Sequence, residues 1–414
     1  MHIERKIKRI GIDARFYGPV GKGLGRYTQE IVDQVTKLDQ INHYIIFLRK
    51  ENYEDFNCDG QRVRKVLLDI NWYGLAEQII FPFYIWRERL DLMHFPHFNV
   101  PIFCPVKFVV TIHDLILIKF PTLRATTLGP VVYKIKNLAY RIVIWLAVKR
   151  ARRVIAVSEF TKNDVIRQFN IKPEKITVTY EGVASLTLSL SQPLIIGEKA
   201  IGSSGVSEAD KKLLLSYNIS EPFLLYVGNA YPHKNLEGLI RVFTKIKDTN
   251  IRMNANDTND TNKKLQLVLV GKEDYFYERL KNYAEKLDLL REKVSAVVFP
   301  GYIQDNDLKV LYQHALTYVF PSFYEGFGLP PLEAMANGCP VVSSNRTSLP
   351  EVLGEAALYF NPNNQDEMFK QIKQVISDRN LREQLVKKGL EQVKKYNWQK
   401  CAGETLVIYR SILN

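Results

Sequence analysis

Two glutamates, Glu325 and Glu333, stand with seven residues between them in FPSFYEGFGLPPLEAMANGCPVVSSN, residues 320–345. The spacing reads as a strand ending near Ser322, a glycine-bearing loop, and a helix PLEAMANG closed by Gly338. Pro330 and Pro331 favour a helix start, where the N–H that proline lacks would go unpaired anyway. Such a start offers backbone N–H groups and the positive end of the helix dipole, which suits a phosphate. Gly326 and Gly328 let the backbone come close to a ligand. A carboxylate on each side can accept hydrogen bonds from sugar hydroxyls. The chemistry this predicts is the holding of a sugar diphosphate.

The elements needed to position these groups recur along the chain. RIGIDAR (9–15) reads as a buried strand, followed by Gly21, Gly23 and Gly25 and the helix RYTQEIVDQVTKL. HYIIFL (43–48), VRKVLL (63–68), KFVVTIHDL (107–115), RVIAVS (153–158) and ITVTYEGV (176–183) are further strands. FLLYVGN (223–229), LQLVLVG (265–271), VVFPGY (297–302), TYVFPS (317–322) and PVVSS (340–344) repeat the grammar. Continuous apolar strands alternating with helices predict parallel sheets covered on both faces. Two such series predict an α/β chain of two doubly wound, Rossmann-like domains facing a cleft. The expected division is an N-terminal domain over 1–183, a linker over 184–221, a C-terminal domain over 222–396, and a final helix over 397–414 returning to the first domain. Residues 250–264, NIRMNANDTNDTNKK, are expected to form a polar loop without catalytic role. GKGLGRY (21–27) does not fit a dinucleotide loop: the third glycine would stand at 26, which is Arg26, and no ribose-binding acid ends HYIIFLRK.

The 414 residues carry 57 basic and 44 acidic side chains, a net charge of +13. Residues 1–182 hold 29 basic and 18 acidic groups (+11), and 183–414 hold 28 and 26 (+2). An anionic surface should therefore dock on the first half. The longest uncharged stretches, 92–106 and 182–197, are rich in Pro, His, Ser or Thr, and neither offers about 20 mainly apolar residues for a membrane span. Cys58, Cys104, Cys339 and Cys401 show no metal-ligand spacing and read as reduced core residues of a cytoplasmic protein. Asn256 and Asn259 match glycosylation acceptors, which a cytoplasmic chain leaves unused.

The full string EGFGLPPLE in its strand and helix context resembles the retaining, nucleotide-sugar-dependent glycosyltransferases of family 4, which have the GT-B fold. The resemblance runs from GIDAR near the start to SLPEVLGEAALYFNP (348–362). It implies that Glu333 binds the ribose hydroxyls of the nucleotide and that Glu325 holds the donor sugar. Gly326 belongs to the same loop, and Phe327, Gly328 and Leu329 would turn backbone N–H groups to sugar and phosphate. Lys234, in YVGNAYPHKNLEGLI, would neutralise the diphosphate as negative charge grows on it. Most members carry an arginine where this chain has Asn229, so His233 or a basic residue of the first domain is expected to make up part of the missing charge. In the first domain, Gly23 and Gly25 would approach the diphosphate or the acceptor, and His113 would touch the donor sugar near the reaction centre. Asp114 is expected to support the loop. Asp13 and Arg15, ending the first strand, are expected to face the acceptor. Ser158 and Glu181-Gly182 also match recurring positions, and Glu351 is a further acid near the nucleotide.

The resemblance further implies front-side displacement: the acceptor hydroxyl attacks from the side the diphosphate leaves, and a phosphate oxygen takes its proton. No cofactor and no metal are expected, since Lys234 and the helix dipole can supply the positive charge. The best expectation is a hexosyltransferase moving mannose from GDP-mannose to a glycan or a polyprenyl-diphosphate-linked acceptor in cell-surface polysaccharide synthesis, at the inner face of the membrane. The segment PVVYKIKNLAYRIVIWLAVKRARR (130–153) is basic and amphipathic, and its stripe Val131, Ile135, Leu138, Ile142, Trp145 and Leu146 reads most simply as a core face. With the aromatic segment 72–90 it also fits peripheral docking on an anionic bilayer. The alternatives are a basic nucleic-acid binder, which lacks any recognisable motif here, and a catalytically inactive sugar-binding homologue.

Overall fold

The computed structural model describes residues 6–18, 22–58, 60–121, 129–183, 207–249, 264–290 and 295–414. The chain divides into two compact units. The first holds Met1–Leu123, Leu128–Gly182 and the C-terminal Tyr396–Asn414, and the second holds Val183–Lys395.

In the first unit the order is β1 (Arg9–Asp13), α1 (Lys22–Leu38), β2 (His43–Leu48), β3 (Val63–Leu67), α2 (Leu75–Arg87), β4 (Leu92–Phe95), β5 (Phe108–Ile112), α3 (Ile116–Lys119), α4 (Pro130–Arg150), β6 (Arg153–Ala156), α5 (Glu159–Phe169) and β7 (Ile176–Val178). Its seven strands lie in the order β3-β2-β1-β4-β5-β6-β7. Every neighbouring pair is parallel. The strands are apolar on both faces because helices cover both. One core cluster gathers Phe47, Phe81, Ile85, Phe95, Val110 and Ile144 under α2, α4 and α5. The other gathers Tyr27, Ile31 and Val35 of α1 with Trp398, Leu406 and Tyr409 of the terminal helix.

The second unit runs α6 (Glu208–Ser216), β8 (Phe223–Val227), α7 (Leu236–Asp248), β9 (Gln266–Val270), α8 (Tyr275–Lys286), β10 (Val297–Val298), α9 (Asp305–His314), β11 (Thr317–Phe320), α10 (Leu329–Ala336), β12 (Val341–Ser344), α11 (Leu349–Leu353), β13 (Ala357–Phe360), α12 (Gln365–Ser377) and α13 (Arg379–Val393). Its parallel sheet has the order β10-β9-β8-β11-β12-β13. The chain then ends in α14 (Trp398–Leu413), which packs against α1 in the first unit. There Tyr409 Oη meets His94 Nδ1 at 2.6 Å.

Several elements differ from the sequence expectation. The described part of 184–221, expected as linker, contains α6. Ser207 caps it by accepting from the Asp210 N–H at 3.0 Å, and Leu214 is buried. Tyr217 donates to Asp307 at 2.7 Å, so this segment is fastened to α9 rather than loose. Residues 250–263 and the acceptor-like Asn256 and Asn259 lie outside the described residues, as do 184–206. Strand β4 was hidden in the uncharged stretch 92–106, because four residues in a fully buried position carry no alternation to detect. Cys104, Cys339 and Cys401 are buried, but Cys58 is exposed. The expected core stripe of α4 is the largest correction. Val131, Ile135, Leu138, Ile142 and Trp145 are exposed, while Ile144, Ala147 and Val148 face the core.

Candidate active site

In the second unit the chain order reverses between β8 and β11, which are neighbours in the sheet although β9 and β10 intervene in sequence. At such a switch point the loops leaving the two carboxyl ends diverge and leave a crevice. The loop after β8 carries Asn229, His233 and Lys234, and the loop after β11 carries Glu325, Gly326 and Phe327. A backbone bond from the Phe323 N–H to the His233 carbonyl, 2.7 Å, stitches the two loops together. Lys234 Nζ then lies 2.6 Å from Glu325 Oε1, with both side chains about nine-tenths buried. The ammonium also sits 5.3 Å from the Phe320 ring centroid. The fold thus brings together two residues that are 91 positions apart in sequence.

Gly328 begins α10 with φ +105°, a conformation that side chains rarely adopt, and a Cβ there would meet Leu349 Cδ2 at 2.8 Å. Leu329, Pro330 and Pro331 form the first turn, and Glu333 follows on the same helix, 9% exposed. The buried Tyr318 phenol is raised well above its ordinary value, first by burial and then by Tyr312, with contributions from both Glu333 and Glu325. Glu325 and Glu333 stand on the loop and the helix that follow β11.

The loop between β11 and α10 is held by residues the sequence reading did not single out. Thr347 Oγ1 accepts from the Glu325 N–H at 3.0 Å. Ser348 Oγ donates to the carbonyls of Glu325 (3.1 Å) and Phe327 (3.0 Å). Ser344 Oγ donates to the Ser322 carbonyl at 2.6 Å. The signal was present as the hydroxyl-rich run SSNRTS, 343–348, but only the adjacency of β11 and β12 gives it meaning. Glu351, on α11, is half-buried in the same region of the chain.

Asn229 supplies no charge. Its Oδ1 accepts from the Tyr231 N–H at 3.4 Å, and its carbonyl accepts from Tyr226 Oη at 2.8 Å. His233 does not replace the missing arginine either. Burial and the neighbouring Lys234 push it down to about 3, so it is a neutral imidazole at physiological pH. Lys234 is the cation that this stretch provides.

The first unit has its own switch point, between β1 and β4. Asp13 and Arg15 are 4% and 1% exposed. Arg15 grips Asp13 with two bonds of 2.8 Å and donates to Glu77 of α2 as well. Asn99 Nδ2 donates to the same Glu77 oxygen at 2.8 Å, and the Tyr73 N–H donates to the other at 3.0 Å. The expectation that Asp13 and Arg15 reach an acceptor gives way to a buried network that ties β1, α2 and the loop after β4. Glu77, inside the apolar stretch 72–90, was not singled out, because its partners are 62 and 22 positions away.

His113 Nδ1 meets Glu181 Oε1 at 3.0 Å, and Nε2 meets the Pro96 carbonyl at 2.9 Å. Both partners are acceptors, so both ring nitrogens must carry protons. Burial alone would lower His113, but the Glu181 carboxylate and the Pro96 carbonyl raise it above its ordinary value. The site therefore holds an imidazolium clamped by Glu181. Asp114 Oδ1 accepts from the Ile116 N–H at 2.9 Å and supports the start of α3. Ser158 caps α5, accepting from the Thr161 N–H at 3.0 Å. Helix α1 starts at Lys22, so Gly23 and Gly25 lie in its first turn rather than in a preceding loop. Gly25 is spent on packing, since a Cβ there would fall 2.1 Å from the Gly18 carbonyl oxygen. Gly23 has open space around it, and Gly21 lies outside the described residues.

Comparison with known proteins follows the same division. Residues 21–185 match the family described as Glycosyltransferase Family 4, and residues 215–392 match Glycosyl transferases group 1. The chain is 28% identical over 403 residues to the O-antigen chain mannosyltransferase B of Escherichia coli, covering 94% of this chain and 96% of that one. Among solved structures it is similar to the sucrose-phosphate synthase of Thermosynechococcus elongatus, with a TM-score of 0.72, 20% identity and coverage of 98% and 99%. It is also similar to Anabaena Alr3699/HepE in complex with UDP and glucose, with a TM-score of 0.66, 16% identity and coverage of 98% and 100%. Two parallel-sheet Rossmann-like units, each matched by its own half of the family's description, place the chain among the group-1, family-4 glycosyltransferases of the GT-B fold.

Proposed function

We propose that this chain transfers mannose from GDP-mannose, with retention of anomeric configuration and without a metal ion, to a glycan acceptor of cell-surface polysaccharide synthesis. The observation that carries the reading is the Lys234–Glu325 pair of 2.6 Å beside the Gly328-led start of α10. A nucleoside diphosphate leaving group gathers negative charge as the glycosidic bond lengthens. An ammonium ion and a helix N-terminus aimed at that charge stabilise the transition state more than the ground state. When the donor binds, the Lys234 ammonium exchanges part of its Glu325 contact for phosphate oxygens. Glu325 then turns to the hydroxyls of the sugar, and Glu333 takes the ribose hydroxyls.

The acceptor hydroxyl attacks on the face from which the diphosphate departs. The departing phosphate oxygen accepts its proton, so the protein needs no carboxylate nucleophile. Its work is positioning and charge stabilisation. The choice of mannose follows the similarity to the E. coli O-antigen chain mannosyltransferase, and the choice of GDP follows from mannose. The acceptor in this reading is carried on polyprenyl diphosphate at the inner face of the membrane.

A thermal-shift series with GDP-mannose, UDP-glucose and ADP-glucose tests the donor, because a ligand that binds only the folded state raises its stability by mass action. GDP-mannose should give the largest rise. A larger rise with a UDP- or ADP-sugar would overturn the choice of donor. Product NMR should show the anomeric configuration of the donor retained, and an inverted product would overturn the mechanism.

A further inference from the structure

On α2 the side chains turned to the core are Glu77, Phe81 and Ile85. The opposite row is just as apolar: Leu75 is 84% exposed, Ile79 74%, Phe83 53% and Trp86 66%. Helix α4 repeats the arrangement with Val131, Ile135, Leu138, Ile142 and Trp145 outward. A helix on the surface of a water-soluble domain normally turns polar side chains outward. Both helices pack on the same core cluster and so cover the same face of the sheet. Of the 24 large apolar side chains exposed among the described residues, 11 lie on these two helices. Among its described residues the second unit, Val183–Lys395, exposes Leu215, Tyr275, Leu287 and Tyr302.

Charge marks the same region. From Leu115 to Ser158 the sequence has nine basic residues and no acidic one. Lys134, Lys136, Lys149 and Arg150 are exposed on α4 itself. No helix among the described residues is long and apolar enough to cross a membrane. The 13 residues of α2 rise about 20 Å, against a hydrocarbon core of about 30 Å. Among the basic residues from Leu115 to Ser158, Lys119 pairs with Asp164. An apolar row flanked by exposed Lys134, Lys136, Lys149 and Arg150 fits a surface of anionic headgroups over acyl chains. A second copy of this chain would set the same positive stretch against itself, and the repulsion disfavours it as occupant.

We infer that the outer face of α2 and α4 lies in the interfacial layer of an anionic phospholipid bilayer, with Phe83, Trp86 and Trp145 buried among the acyl chains and Lys134 and Lys136 at the phosphates. The inference deepens the proposed reading, since it brings the chain to a lipid-linked acceptor. The Arg15–Glu77 ion pair fastens the docked helix to the end of β1, so the membrane fixes the orientation of the first unit.

Flotation with phosphatidylcholine vesicles, with and without 30% phosphatidylglycerol, tests it. The full chain should float with the anionic vesicles at least about ten-fold better than with the neutral ones, and strong salt should reduce the difference. The double variant Phe83→Asp, Trp86→Asp should weaken flotation at least about ten-fold, and Lys134→Glu, Lys136→Glu several-fold, with melting temperatures near that of the parent. Tryptophan quenching by bromine-labelled lipids gives a readout on the unaltered chain, through Trp86 and Trp145. Absence of flotation, flotation indifferent to Phe83→Asp, Trp86→Asp, or a dimer in light scattering that this variant dissociates would each overturn the inference. The GDP-mannose thermal shift on the same preparations separates the two claims. Its loss with flotation intact sinks the donor reading alone, and the reverse sinks the docking alone.

Discussion

The two units share a topology and use it in opposite ways. Each is a parallel sheet whose order reverses once, between β1 and β4 in the first and between β8 and β11 in the second. At the first reversal the charges satisfy one another: Arg15 is neutralised by Asp13 and Glu77, and His113 by Glu181. At the second, Lys234 and Glu325 meet near the mouth of a helix whose start is shaped by Gly328. The first network holds loops and helices in place. In the proposed function, the second is a pair that an incoming diphosphate divides. The same fold therefore surrounds its buried ions differently in the two units. Arg15 has two carboxylates around it and His113 a carboxylate and a carbonyl, whereas Lys234 has the one carboxylate of Glu325 and lies beside a helix N-terminus, an arrangement suited to an anion.

Arg15→Met breaks the contrast most strongly. It leaves Asp13 and Glu77 buried without their cation and should destabilise the first unit by about 3–5 kcal/mol. Calorimetry checks it, and a change below about 1 kcal/mol would show the network to be dispensable. Lys234→Ala and Glu333→Ala should act mainly on transfer, lowering turnover at least ten-fold, or at least about 1.4 kcal/mol in activation free energy. Lys234→Ala should also lower melting, but less than Arg15→Met, because it strands one carboxylate, Glu325, rather than two. Near-normal transfer by both variants would place the diphosphate elsewhere.

The pH dependence of the first unit sharpens the comparison. His113 has a raised folded value, so the stability gained from Glu181 is fully present below about pH 6.5 and is lost as pH climbs through that raised value. The melting difference between the parent and Glu181→Gln should accordingly shrink from pH 6 to pH 9. A difference that grew over that range would contradict the imidazolium assignment. The smallest expected effect is that of Ser348→Ala, which removes donors to the Glu325 and Phe327 carbonyls. It should cost about 1 kcal/mol of stability, read as a fall of a few degrees in melting temperature.

Much of the candidate site in the second unit was legible in the residues. The run EGFGLPPLE encodes its own loop and helix start, and Lys234 follows a recognisable strand within a dozen residues. Its supports were not legible. Thr347 and Ser348 act on Glu325 and Phe327 from about 20 residues away, and Glu77 reaches Arg15 across 62. His233 shows the limit for a single residue. Its type suggests a cation, and its burial beside Lys234 makes it neutral. On α4, periodicity correctly marked a stripe but not which way it faces. A helix with apolar residues on both sides has two candidate core faces, and only packing on the sheet chooses between them.

Sequence alone determined the alternation of strands and helices, the family, and the local geometry at Glu325 and Glu333, because each depends on neighbours within a few residues. Tertiary structure decided which charges cancel, which imidazole is charged, and which apolar face is left to the solvent. These depend on the order of strands in the sheet, which joins residues that the chain keeps far apart.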